Sequence, residues 1–152
     1  LAAAVALASA GCGGREFAEV AGRVTLDGKP LADVEVVFLP DSLKGNHANT
    51  ASAVTDADGR YQLYTPRDNR AGTVLGAHRV IVIDLTMVAD ATGAGGPPRP
   101  GQAAAALPGT KPRRFPTAYG SAGETPFRDV DVTPGRQTLD FDLKADGPRR
   151  AP

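Results

Sequence analysis

The chain has 152 residues, enough for one domain with a modest core, and its 17 Lys and Arg balance its 17 Asp and Glu. A neutral balance gives no electrostatic footprint for nucleic acid or for anionic lipid. Gly (18) and Pro (13) favour turns and short strands over helical layers, the absence of Trp argues against a stacking platform, and a single Cys excludes an internal disulfide and a cysteine-built zinc cluster.

Leu1 to Ala10, LAAAVALASA, is apolar, uncharged and too short to span a bilayer as a helix. No basic n-region precedes it and the sequence opens on Leu1 rather than Met, so the start is read as truncated or mis-called. Gly11, Cys12, Gly13 and Gly14 follow. An apolar run, small residues and then Cys resembles the lipobox of bacterial lipoproteins, where cleavage before the Cys leaves it as a lipidated N-terminus. The resemblance implies lipidation at Cys12, with enough acyl chains for stable anchoring. The alternative is an ordinary secretory signal cut after Ala10, with Cys12 a free thiol. Residues 1–11 are thus read as a signal peptide of lipoprotein type, 12–18 as a tether, and the compartment as extracytoplasmic.

Glu19 to Leu26 alternates Val20, Gly22, Val24 and Leu26 against Glu19, Arg23 and Thr25, the period of a half-buried strand. Asp27-Gly28 is a turn signal, because both residues tolerate positive φ. Val34 to Leu39 is the second strand, which Pro40 stops. Asp41 to Thr50 reads as a loop and Ala51 to Thr55 as a short third strand. Asp56-Ala57-Asp58-Gly59 is a tight turn leading into the strand Arg60 to Tyr64, with Tyr61 and Leu63 on one face. After a polar loop comes Gly76 to Leu85, whose Val80-Ile81-Val82-Ile83 is apolar on both faces and suits a central position.

The pattern then breaks. Ala89 to Pro116 is dominated by Ala, Gly and Pro, with Arg99, Lys111, Arg113 and Arg114 scattered through it. Such a segment buries too little apolar surface to offset its ordering entropy, so 89–116 is expected to be a mobile, disordered insertion with solubilising charges, the alternative being a functional arm whose basic residues contact acidic polymer or lipid headgroups. Within it, Gln102 to Leu107 has the composition of one helical turn, too short to be stable alone. Phe127 to Thr133 is the sixth strand, Pro134-Gly135 a turn, and Gln137 to Leu143 the seventh, with Leu139, Phe141 and Leu143 against Thr138, Asp140 and Asp142. Residues 144–152 read as a disordered tail. Seven short strands without helices predict an all-β, seven-stranded antiparallel Greek-key sandwich over 19–143.

The order of blocks resembles carboxypeptidase regulatory-like domains. Val20-Ala21-Gly22-Arg23-Val24-Thr25-Leu26-Asp27-Gly28-Lys29-Pro30-Leu31 looks like their opening. Thr55-Asp56-Ala57-Asp58-Gly59-Arg60-Tyr61 looks like their Thr-Asp-x-x-Gly-x-Tyr turn, and Gly76-Ala77-His78-Arg79-Val80 like their next strand, with His78 in place of an aromatic. Pro116-Thr117-Ala118-Tyr119 and the two strands after it are similar to the close of a set of small bacterial lipoproteins of this kind. The resemblance implies a transthyretin-like or Ig-like sandwich, and a non-catalytic module for folding or interaction.

Asp56-x-Asp58-Gly59 begins like a calcium loop, but the twelfth position is Arg67 rather than a bidentate Glu, so a backbone-capping turn is the better reading. His47 and His78 are the only histidines, too few for a catalytic zinc site, and no metal or cofactor is expected. Ser42, Ser52 and Ser121 stand in no nucleophile motif. The expected function is a non-catalytic, lipid-anchored binding or structural module of the bacterial envelope, periplasmic or at the cell surface. Its partners would be the membrane and an envelope protein or polysaccharide, with no nucleic acid. Two alternatives stay open. One is a small hydrolase using an exposed His78; the other is carbohydrate binding by a cluster of Tyr61, Tyr64 and Tyr119.

Overall fold

The structure is a computed structural model that describes residues 16–87 and 112–148. Within those residues the chain is an all-β sandwich of two six-stranded sheets. The first sheet is organised around β1 (Phe17–Leu26). On one edge β1 pairs antiparallel with β2 (Lys29–Pro30), β5 (Arg60–Gln62) and β8 (Thr73–Val74). On the other it pairs with β11 (Arg136–Thr138) and β12 (Phe141–Leu143). The second sheet runs β10 (Val130–Val132), β9 (Gly76–Asp84), β3 (Val34–Pro40), β4 (Ala51–Val54), β6 (Tyr64–Thr65) and β7 (Arg70–Ala71).

Alternation places the core as the sequence pattern requires. Val20 and Val24 of β1 face Val34, Val36 and Phe38 of β3, all with no exposed surface. On β9, Val80 and Val82 turn inward, while Ile81 and Ile83 stay half-buried outside. β9 lies between β10 and β3, inside its sheet. Phe141 links the layers, lying 4.8 Å from Phe127 and 6.1 Å from Phe38 between ring centroids.

Four features depart from the sequence reading. β1 pairs in parallel with β11 and β12, so the sandwich is not wholly antiparallel. The cause is that β10 lies in the second sheet, and Pro134-Gly135 carries the chain across to the first instead of closing a hairpin. The strand expected over Arg60 to Tyr64 changes sheets at Leu63, whose N–H donates to the Val20 carbonyl while its own carbonyl accepts from Gly72. The strand expected over Gln137 to Leu143 is likewise divided, at Leu139 and Asp140. Phe17 and Ala18, read as tether, pair with Val74 and Thr73 in β1.

The insertion expected over 89–116 is ordered at its C-terminal end. Arg114 donates to both carboxylate oxygens of Asp84, at 2.9 and 2.5 Å, and to the carbonyls of Ala32 and Asp33. Phe115 is 7% exposed and meets Tyr119 edge to face. Arg114 is therefore a strut between two strand ends and not a solubilising charge. The helical turn expected at Gln102 to Leu107 lies outside the described residues, as do Arg99 and Lys111. The tail begins tied down, because the Lys144 N–H donates to the Tyr119 hydroxyl at 3.0 Å.

Candidate binding groove

The turns form by the chemistry their residues carry. Asp27 and Gly28 both take positive φ, 50° and 81°, and the Gly28 N–H donates to Asp142 Oδ1. That carboxylate also accepts from the Thr25 hydroxyl and pairs with Lys144. The Lys144 bond, with the Thr25 and Gly28 donors, holds Asp142 down at about 2. Asp56 Oδ1 accepts from the N–H groups of Asp58 and Arg60, both at 2.9 Å, and Gly59 takes φ 71°. This is a side-chain-capped turn. Pro134 and Gly135 sit exposed at the crossover, Gly135 at φ 102°. Cys12 lies outside the described residues.

His78 is not open to a substrate. It has no exposed surface. Its Nδ1 lies 2.8 Å from the Gly76 carbonyl and its Nε2 3.3 Å from the Thr73 hydroxyl. The ring packs 5.8 Å from Phe38. Burial lowers its pKa, against smaller opposing effects of the Gly76 carbonyl and Asp131. The hydrolase reading required this imidazole at the surface, and the inward register of β9 forbids that. His47 is exposed in the loop before β4.

The three tyrosines do not cluster. Tyr61 is 4% exposed, stacks on Phe141, and donates its hydroxyl to the Leu139 carbonyl at 2.5 Å. Burial raises its pKa, and Asp140 adds to the rise. Tyr119 is 1% exposed between Phe115 and Phe127. Tyr64 alone is exposed, on the other sheet. A three-ring sugar platform is therefore not built, because two of the rings are core residues. Among the described residues, His, Cys, Asp and Glu side chains nowhere gather in threes as metal ligands would.

What the described residues do present is a groove of about 610 Å³ beside β1, lined by residues of the first sheet together with Val54 of β4 and the edge of Tyr61. Its floor is Ala21 and Gly22 of β1. Ala21 is flanked in register by Gln62 of β5 and Thr138 of β11, so a small residue lies between two longer polar ones. Two positions along, Arg23 stands directly opposite Arg60. Asp56 and Asp140 complete the polar rim. Gly22 lets the chains close up beneath, since a Cβ there would stand 1.9 Å from the Leu139 carbonyl oxygen. The break between β11 and β12 shapes the rim, because the Arg23 N–H donates to Asp140 Oδ1 at 2.7 Å where a parallel strand would have offered a carbonyl.

Sequence reasoning missed this groove. Its polar residues come from β1, β5, the Asp56 turn and the last strands, and each alone looks like an ordinary solvated side chain. The available signal was the dip to Ala21-Gly22 in the middle of a β-branched strand. A second depression, about 380 Å³, lies beside Phe115 and Met87 and carries few polar groups beyond Asp84 and Arg113. No family model matches the chain, and neither does any curated protein or solved structure.

Proposed function

We propose that this chain is an exported, lipid-anchored module of a bacterial envelope that binds and does not catalyse. The observation that favours binding is the division of its polar groups. His78, Thr73 and Thr125 are buried in hydrogen bonds within the fold. The groove beside β1 offers guanidinium, amide, hydroxyl and carboxylate groups suited to holding a ligand. The anchor rests on the Cys12 context in the sequence. β1 begins at Phe17, so the tether from Cys12 reaches at most about 18 Å and would keep the sandwich close to the bilayer surface. The likeness to carboxypeptidase regulatory-like domains of small lipoproteins belongs to the same proposal. It is supported by the order β1, Asp27-Gly28 turn, β3, Asp56–Gly59 turn and β9.

Metabolic labelling with a fatty-acid probe tests the anchor, with label expected on the native chain and lost in Cys12→Ala. Equal labelling of both ends the anchor reading. Saturable adsorption of the purified chain to envelope polysaccharide or envelope protein tests the binding reading, and adsorption to neither ends it.

A further inference from the structure

The groove beside β1 has an electrostatic feature that strand pairing alone does not account for. Arg23 and Arg60 are directly cross-strand on antiparallel neighbours, an arrangement that destabilises a sheet when both residues carry the same charge. Three guanidinium groups elsewhere are ion-paired, Arg79 with Asp41, Arg114 with Asp84 and Arg136 with Glu19, whereas Arg128 rests on backbone carbonyls and Arg70 on the Phe17 ring. Among the described residues neither Arg23 nor Arg60 has an acidic partner. Two guanidinium groups outside any ion pair, lining one groove, form a place where an anion relieves their mutual repulsion.

The rest of the rim narrows the class of anion. Asp56 and Asp140 line the same groove, and their described hydrogen bonds use Oδ1 only, on backbone N–H groups. Each keeps a second oxygen able to accept from a ligand hydroxyl. The two carboxylates also cancel the two guanidinium charges, which disfavours a doubly charged phosphate against a singly charged carboxylate. Gln62 and Thr138 face each other across Ala21 and supply neutral donors and acceptors. A carboxylate beside several hydroxyls satisfies all of these groups at once. The volume of about 610 Å³ falls within the range of small-ligand sites.

We infer that the groove formed by Arg23, Arg60, Gln62, Thr138, Asp56 and Asp140 binds a sugar acid, as in an acidic polysaccharide. The guanidinium groups take the carboxylate, and the aspartates take the ring hydroxyls. Tyr61 lines the groove but is only 4% exposed, so its ring face is not open for stacking and a single sugar residue binds weakly. This rests on the binding reading above and not on the anchor.

The test is an amide NMR titration of the full chain carrying Cys12→Ala, with galacturonate, galactose, inorganic phosphate and N-acetylglycine as probes. Galacturonate is expected to give saturable shifts at Ala21, Arg23 and Gln62, about tenfold tighter than galactose, which carries a hydroxymethyl group in place of the carboxylate. Arg60→Gln and Arg23→Gln are each expected to weaken it about tenfold while leaving the remaining amide spectrum in place. Galactose or N-acetylglycine binding as tightly as galacturonate overturns the sugar-acid assignment, and so does tighter binding of phosphate. Unchanged affinity in both Arg variants overturns the site. Adsorption to envelope polysaccharide without any galacturonate shift overturns this inference and leaves the binding reading standing; loss of both removes both.

Discussion

Gly22 carries the closest approach beneath the groove, and its replacement by Ala gives a sharp test of the packing. A Cβ at this position would stand 1.9 Å from the Leu139 carbonyl oxygen, 2.6 Å from its carbon and 3.0 Å from Tyr61 Cε1. The first two contacts are backbone atoms, held by the 2.8 Å bond from the Leu139 N–H to the Ala21 carbonyl. Ala must therefore push β1 away from the last strands. Overpacking of this kind costs about 1–3 kcal/mol. Losing the Leu139 N–H bond and the Tyr61 hydroxyl bond adds about 1 kcal/mol each. A total of about 3–5 kcal/mol is a large part of the stability of an ordinary domain. With a urea slope of about 1.5 kcal/mol per molar, the midpoint falls by roughly 2–3 M. Gly28→Ala is the control. Gly28 has φ +81° but open space around it, so Ala there meets only backbone strain of about 1 kcal/mol. Equilibrium urea unfolding followed by far-UV circular dichroism compares the two. A Gly22→Ala midpoint no lower than that of Gly28→Ala would refute the close contact of β1 with Leu139.

Other consequences follow from the buried groups. Burial pushes the Asp84 carboxyl up, but bonds from Arg114 and Thr86 outweigh it and hold the group below the ordinary carboxylate range. Stability from this pair is therefore present above the unfolded carboxylate pKa, near 4, and is lost as pH falls through the lower folded value. Arg114→Ala should cost about 2–3 kcal/mol at neutral pH and flatten that acid limb, read from urea midpoints at several pH values; a native-like midpoint would refute the strut. His78, with its pKa lowered by burial, makes the unfolded chain bind the proton first. Stability should thus fall as pH drops through about 6.5 toward the lower folded pKa, and His78→Gln should lose this dependence in thermal unfolding; an unchanged slope would refute it. Tyr61→Phe leaves the Leu139 carbonyl without its donor and should cost about 1–2 kcal/mol, measured by the same urea method; no loss would refute the role given to that hydroxyl.

Much of the sandwich was legible because alternation reports burial directly. β1, β3 and β9 follow their period-two patterns, and the turns at Asp27-Gly28 and Asp56–Gly59 follow from residues that accept positive φ or cap N–H groups. What alternation does not report is which sheet receives a buried residue. Tyr61 and Leu63 are inward in either sheet, so the change of sheet at Leu63 left no trace in the pattern. β7 and β8 are two residues each and straddle Gly72, whose Cβ would stand 1.9 Å from the Ala18 carbonyl oxygen. That return crossing has no periodicity to read. Arg114 and Phe115 were averaged away by the Ala, Gly and Pro around them. The groove escaped notice because its walls lie far apart in sequence, with Arg23 binding Asp140 across 117 positions. A polar residue facing outward in a strand looks the same whether it meets water or a ligand.

The central claim is that this sandwich is delivered to a membrane through Cys12. Mass spectrometry of the N-terminal peptide from the chain expressed and exported in a bacterium tests it most directly. The account predicts a mature N-terminus at Cys12 bearing a diacylglyceryl thioether. A mature chain that begins at Gly11, with a free thiol on Cys12, would contradict it.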